Sequence, residues 1–160
     1  MQKEVLDILH TLGITYTLDE HPAAFTMEEI EALPLFKKGV IVKNLFLRDS
    51  KGKRHFLVVL SGDKTVNLRD LGEKIGSTRL SFASEERLEK YLHLKKGSVS
   101  PLGILYDEAR AVEVIFDEDL KEEACIGVHP NENTATVWLS FEDLLKIVKW
   151  HENSYSFLFV

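Results

Sequence analysis

The sequence predicts an α+β fold: a mixed, mainly antiparallel, barrel-like sheet with flanking helices, forming a single domain over residues 1–160. Three observations point there. Strand-like runs are joined as hairpins and interspersed with helices, without the strict strand–helix alternation of a parallel α/β sheet. The 160 residues are enough for one substantial core. The hydrophobic fraction of 44% and charged fraction of 29% are ordinary for a globular protein, and no repeat, low-complexity tract or linker interrupts the chain.

Val5, Leu6, Leu9 and Leu12 recur at helical spacing, and Gly13 is placed to end that helix. Thr15 to Leu18 reads as a short strand. His21-Pro22-Ala23-Ala24-Phe25 reads as an extended loop, because proline keeps its predecessor out of helical geometry. Thr26 with Glu29 makes a capping box for a short helix that Pro34 stops. Val40 to Arg48 is the clearest strand and Phe56 to Leu60 the next, joined through Asp49-Ser50-Lys51-Gly52 as a hairpin. Asn67 caps a helix running to Ile75 with Gly76 behind it, and Ser84 caps another running towards Leu92. Strands are expected near Ile104, at Ala111 to Phe116, at Ala124 to Val128 and at Thr134 to Leu139. Ser140 caps a last helix with Phe141, Leu144, Leu145 and Val148 on its inner face, and Tyr155 to Val160 is apolar enough for an edge strand.

Composition narrows the function. No apolar run approaches bilayer length and the start MQKEVLDILH has no signal-peptide core, so no membrane partner is expected. A single cysteine, Cys125, permits no internal disulfide and suits a reducing cytoplasm. The net charge of -6 argues against general nucleic-acid coating, and DNA is not an expected partner. The charge is unevenly spread. Residues 37–54 carry Lys37, Lys38, Lys43, Arg48, Lys51, Lys53 and Arg54 against Asp49 alone, whereas residues 107–123 are strongly acidic. A basic flank on an acidic body suits one specific anionic partner, and ordinary solvated faces account for it equally well.

The chemical candidates fall in three segments. The first is Lys43-Asn44 inside an otherwise apolar strand. Alternation puts Ile41, Lys43, Leu45 and Leu47 on one face and Val42, Asn44 and Phe46 on the other, so this strand is expected to be covered on both sides. An ammonium there must find a partner or open onto a cavity, since unpaired burial is costly; snorkelling to solvent is the alternative. For Lys43 and Asn44 to serve one site, a bulge or a strand end is required. The second segment is the loop Gly97-Ser98-Val99-Ser100-Pro101, whose amides at Ser98, Val99 and Ser100 can form an anion-binding nest, although most such loops are only turns.

The third segment is Gly127-Val128-His129-Pro130-Asn131-Glu132-Asn133-Thr134, a strand end, a histidine and a tight polar turn. His129 is an acid–base group, a substrate hydrogen-bonder, pocket wall or simply a solvated turn histidine. A thiol–imidazole pair with Cys125 is excluded by distance, because four extended residues span about 13 Å. The six histidines are scattered, with no metal-ligand spacing, so neither a metal nor another cofactor is expected. No GxSxG elbow or Walker loop is present.

Taken in order, these segments resemble the YbaK/aminoacyl-tRNA-synthetase-associated domain family, which includes the editing insertion of bacterial prolyl-tRNA synthetase and free-standing relatives. The resemblance runs almost end to end: His21-Pro22 then Thr26, Val42-Lys43-Asn44-Leu45-Phe46, Gly97-x-x-x-Pro101 with Leu102-Gly103, and Gly127-Val128-His129-Pro130-Asn131 with Asn133-Thr134. The histidine turn is most similar to the free-standing, PrdX-like branch that clears alanine from proline tRNA.

The resemblance implies hydrolysis of the ester joining a wrong amino acid to the terminal adenosine of tRNA. It implies no covalent nucleophile, with a free ribose hydroxyl of the substrate helping to activate water. On this chain it implies that Lys43 holds the terminal phosphate or ribose, assisted by Asn44. Gly97, Ser98, Val99, Ser100 and Pro101 would bind the aminoacyl end. His129 would shape the pocket or hold the water, Thr26 would line the approach, and Gly127 would belong to the substrate site. The implied partners are the aminoacylated acceptor end of tRNA and prolyl-tRNA synthetase. The rival readings are a non-catalytic aminoacyl-tRNA or amino-acid sensing module associated with a synthetase, and a general small-ester hydrolase.

Overall fold

The computed structural model describes residues 2–23 and 39–160. In chain order its elements are α1 (Gln2–Thr11), β1 (Thr17–Glu20), β2 (Val40–Arg48), β3 (His55–Ser61), α2 (Leu68–Ile75), β4 (Ser81–Phe82) and α3 (Glu85–Leu92). A 3-10 helix (Pro101–Tyr106), β5 (Val112–Asp117) and a second 3-10 helix (Glu118–Glu122) follow. The chain then forms β6 (Ile126–Val128), β7 (Ala135–Leu139), α4 (Phe141–His151) and β8 (Tyr155–Leu158). The capping box at Thr26 and the helix expected before Pro34 lie outside the described residues.

The helix starts were set by local chemistry. Asn67 accepts from Arg69 and Asp70, Ser84 from Arg87 and Ser140 from Asp143, each side chain satisfying an N–H that the first helical turn leaves free. In the β2–β3 hairpin, the Asp49 carboxylate accepts from the amides of Lys53 and Arg54, and Gly52 takes the positive φ of 68° that the turn requires.

The eight strands form one mixed sheet in the order β1-β7-β6-β2-β3-β5-β8, with β4 also on β2. The pairs β1–β7, β7–β6, β2–β3 and β2–β4 are antiparallel; β2–β6, β3–β5 and β5–β8 are parallel. Strand β3 is central and wholly buried from His55 to Leu60. Its alternating side chains serve two cores: Leu57 and Val59 face the larger one, with Val114, Phe116, Leu92, Phe141 and Leu144. Phe56, Val58 and Leu60 face a smaller one that Leu71 and Leu80 close. Strand β2 divides the same way, Val42 and Phe46 into the first core and Leu45 and Leu47 towards the second, as its alternation predicted.

Two differences from expectation have simple causes. The apolar run around Ile104 is not a strand but the 3-10 helix Pro101–Tyr106. Pro101 presets its first turn and the Ser100 hydroxyl accepts from the Leu102 amide. The basic run is partly consumed by the fold. Arg54 makes a two-pronged ion pair with Glu113, both contacts 3.0 Å, and Arg48 donates to the carbonyls of Asp49 and Ser50. Lys37 and Lys38 lie outside the described residues.

Candidate functional site

The outer edge of β2 carries β6 at its start, opposite Val40 and Ile41, and β4 at its end, opposite Leu47 and Arg48. Between them, over Val42–Phe46, this edge pairs with no strand among the described residues. The loop Gly97–Pro101 and the histidine turn fill in beside that gap, and three hydrogen bonds tie the segments together. Asn44 Nδ2 donates to the Val99 carbonyl at 3.3 Å, the Ser100 hydroxyl donates to the His129 carbonyl, and Asn131 Nδ2 donates to the Leu102 carbonyl at 3.3 Å. Asn44, the glycine-proline loop and His129 are thereby brought into one place.

Each member is held for a physical reason. Gly97 adopts φ 86°, a conformation that side-chain-bearing residues seldom take. Ser100 is fully buried with both roles of its hydroxyl used. The Ser98 amide donates to the Lys95 carbonyl, so one of the three amides expected in the nest is already engaged. Gly127 lets three side chains meet: an added Cβ would lie 2.7 Å from Ile41 Cδ1, 2.9 Å from Trp138 Cζ3 and 3.1 Å from Thr136 Cγ2. Asn131 takes the left-handed φ of 62° that asparagine tolerates in a tight turn.

His129 Nδ1 lies 2.9 Å from the Ala135 carbonyl. A carbonyl only accepts, so Nδ1 carries the hydrogen and Nε2 presents a lone pair in the neutral ring. Burial pushes the His129 pKa below its ordinary value; the Ala135 bond opposes this and the charge of His21 adds to it. The ring is therefore neutral at neutral pH. His21 stands beside it, ring centroids 6.3 Å apart, with Nδ1 on the Pro22 carbonyl and Nε2 on the Thr136 hydroxyl, both at 2.8 Å.

Asn44, Gly127, His129 and Thr136 line a chamber of about 20 Å³ with Ile41, Val42 and Val128. That is room for one water, which needs about 10–15 Å³ and two or more polar partners. The buried Asn44 Oδ1 has no hydrogen-bond partner among the described residues, and His129, whose Nδ1 is taken by the Ala135 carbonyl, lines the same chamber. A larger cleft of about 580 Å³ is lined by Ser98, Tyr106, Asn131 and Thr134, among others. Another cleft, about 780 Å³ along Asn67 to Leu80, contains no residue expected for the site.

Lys43 goes elsewhere. The β2–β3 register runs without a bulge from Val42 to Arg48, so Lys43 and Asn44 point to opposite faces. The half-buried ammonium donates to the Lys64 carbonyl at 3.1 Å. Thr26 lies outside the described residues. Cys125 is half-buried, with extended β6 between it and His129, and among the described residues no histidine–cysteine–carboxylate group could hold a metal ion. No described helix is long and apolar enough to cross a membrane. His21 and Thr136 were not expected at the site. They meet across 115 residues through the β1–β7 pairing, which places Asp19 opposite Thr136, a long-range contact without a local signal.

The sequence model of the aminoacyl-tRNA editing domain matches residues 21–147. The chain is 53% identical over 154 residues to the prolyl-tRNA editing protein ProX of Acetoanaerobium sticklandii, covering 96% of this chain and 94% of that protein. It is 36% identical over 153 residues to prolyl-tRNA synthetase associated domain-containing protein 1 of Mus musculus, covering 93% and 90%. A crystal structure of a candidate trans-editing enzyme for prolyl tRNA synthetase superposes with a TM-score of 0.74 over 98% of this chain and 94% of that one. At 22% identity, that match speaks for the fold alone. On the domain match and these identities, the chain belongs to the aminoacyl-tRNA editing domain family.

Proposed function

We propose that this protein is a trans-acting aminoacyl-tRNA deacylase that hydrolyses the ester of mischarged proline tRNA, with alanine as the amino acid removed. The observation that carries the reading is the water-sized chamber lined by His129, whose Nδ1 is held by the Ala135 carbonyl, and by Asn44, whose Oδ1 has no partner among the described residues. The names borne by the 53% and 36% identical relatives supply the substrate class.

In this reading a water donates one hydrogen to His129 Nε2 and the other to Asn44 Oδ1. Its lone pair is thereby aimed away from both, towards an ester carbonyl lodged against the Val99–Ser100 loop. The amides of Val99 and Ser100 receive the negative charge that develops on the carbonyl oxygen. The C–O bond to the ribose breaks, the water's hydroxyl stays on the acyl carbon, and its proton ends on the departing ribose oxygen. A neutral imidazole suits this task because an imidazolium would offer no lone pair to the water. A free ribose hydroxyl next to the ester assists the proton transfer. Selection by size follows, since a synthetase site built for proline cannot fully exclude the smaller alanine, whereas a small second site can reject proline.

Lys43 takes the phosphate or ribose of the terminal nucleotide by exchanging the Lys64 carbonyl for it, and Thr26 lines the approach. The substrate itself is the tRNA acceptor end, prolyl-tRNA synthetase is the natural source of the mischarged product, and the reaction belongs in the cytoplasm. The test is a deacylation panel of alanyl-, cysteinyl-, seryl- and prolyl-tRNA(Pro) with purified protein. Release of alanine and sparing of the proline ester are expected. Saturable binding of alanyl-tRNA(Pro) with no ester cleavage would overturn the reading in favour of a sensing module.

A further inference from the structure

The unpaired stretch of β2 borders a second cleft. It holds about 390 Å³ and is lined by Asn44, Phe46, Phe82, Glu85, Lys96 and Val99, among others. That volume lies within the range of about 300–1,000 Å³ typical of small-molecule sites. Asn44 and Val99 are the hydrogen-bonded pair beside the water-sized chamber, and Asn44 lines both cavities, so the two share a wall. Leu88 and Phe46 give the cleft an apolar floor. Phe82, in the two-residue strand β4 opposite Leu47, is 63% exposed. A large ring held out to solvent on a paired strand is rigid, wet and available for contact. Lys96, exposed at the rim, immediately precedes Gly97 of the loop.

We propose that this cleft is the nucleobase subsite, in which the terminal adenine stacks on Phe82 while Lys96 meets the adjoining phosphate. The inference rests on the deacylase reading and deepens it. The ester and the base hang from one ribose. A site that presents the ester to the Asn44–Val99 wall must therefore seat the base within a sugar's width of that wall, and this cleft adjoins it there. Stacking suits an aromatic platform because every base offers a π-face, so Phe82 supplies affinity and leaves identity to other contacts. An ammonium acts on phosphate as a point charge without a demanding geometry, which an exposed lysine satisfies. Glu85, which also lines the cleft, disfavours a phosphate beside it and so orients the nucleotide.

The test uses 3′-deoxy-3′-(L-alanylamino)adenosine 5′-monophosphate, whose amide replaces the labile ester, and the same aminoacyl sugar phosphate lacking the base. Calorimetric titration of the wild type is expected to favour the base-bearing probe by about tenfold or more. Phe82→Ala should erase that preference, Phe82→Trp should retain it, and Lys96→Ala should weaken both probes alike. Because Phe82 is largely exposed, the alanine variant should keep its thermal midpoint, and the tryptophan variant guards against a folding artefact. No preference in the wild type, or an undiminished one in Phe82→Ala, overturns the inference. Ester release by the wild type judges the deacylase reading separately. Alanine release together with a Phe82-independent preference removes only the stacking cleft; a Phe82-dependent preference without alanine release removes only the hydrolysis.

Discussion

Replacing Ser100 by alanine tests whether the loop and the histidine turn are held as one unit. The hydroxyl donates to the His129 carbonyl and accepts from the Leu102 amide, and the residue is fully buried. Alanine retains the Cβ, so little packing is lost; two backbone groups are left without a partner. Stranding a buried polar group costs about 1–3 kcal/mol. Two such groups, with partial relaxation, give an expected loss of about 2–5 kcal/mol, a large share of the roughly 5–15 kcal/mol that holds a domain together. Urea unfolding should show this as a lower midpoint with an unchanged slope, since the surface exposed on unfolding is the same. At a temperature where the variant remains folded, alanyl-tRNA(Pro) deacylation should fall about 10- to 100-fold, because misplacing a catalytic group by about 1 Å costs that much. A stability change within about 0.5 kcal/mol, the range of an ordinary surface substitution, with full activity would refute the argument that this hydroxyl fixes the site.

Gly127→Ala places a methyl against Ile41 Cδ1 and Trp138 Cζ3, and overpacking of this kind costs about 1–3 kcal/mol, readable as a lower thermal midpoint; an unchanged midpoint would show that the ring and the isoleucine can yield. Acid should destabilise the protein through two histidines whose pKa values are lowered from 6.5, His129 by burial and His55 by burial and then by Arg87. Below 6.5 the unfolded chain binds protons that the folded chain refuses, so stability is flat above that pH and falls below it; His55→Leu should flatten the acid side of the profile measured by urea unfolding. Lys43→Ala removes one bond to the Lys64 carbonyl from a half-buried side chain, so stability should change by about 1 kcal/mol or less while deacylation is lost; full activity would remove Lys43 from the mechanism.

What could be read from the sequence was what local chemistry decides. Asn67, Ser84 and Ser140 announce helix starts because a side-chain oxygen and an amide two or three residues on are enough to form a cap. Strand β2 was legible to the residue, and so was the division of its faces, since alternation follows from the pleat alone. Ile104 misled because a short apolar run has no period long enough to separate strand from helix, and the deciding contacts, Ser100 on Leu102 and Asn131 on Leu102, come partly from a turn 29 residues away. The site shows the same boundary. Its three segments stood out by residue type, whereas His21 on Thr136, Asn44 on Val99 and exposed Phe82 on β4 exist only once the sheet is assembled.

The placement of Lys43 away from His129 has a chemical logic. A cation in the chamber would add to the effect of His21, which already lowers the His129 pKa, and would compete with the water for Asn44 Oδ1 and His129 Nε2. By strand alternation the ammonium leaves from the other face of β2, one residue from Asn44 along the chain yet outside the chamber. The unpaired edge of β2 between β6 and β4 is where the two faces meet, because no neighbouring described strand closes it. In the deacylase reading a nucleotide lying across that edge puts its ribose towards Lys43 and its ester towards Asn44 without bringing the positive charge into the hydrolytic space. A continuous neighbour along β2 would have sealed this edge, so in the deacylase reading the break between β6 and β4 among the described strands lets a substrate-binding cation and neutral-imidazole chemistry share one strand.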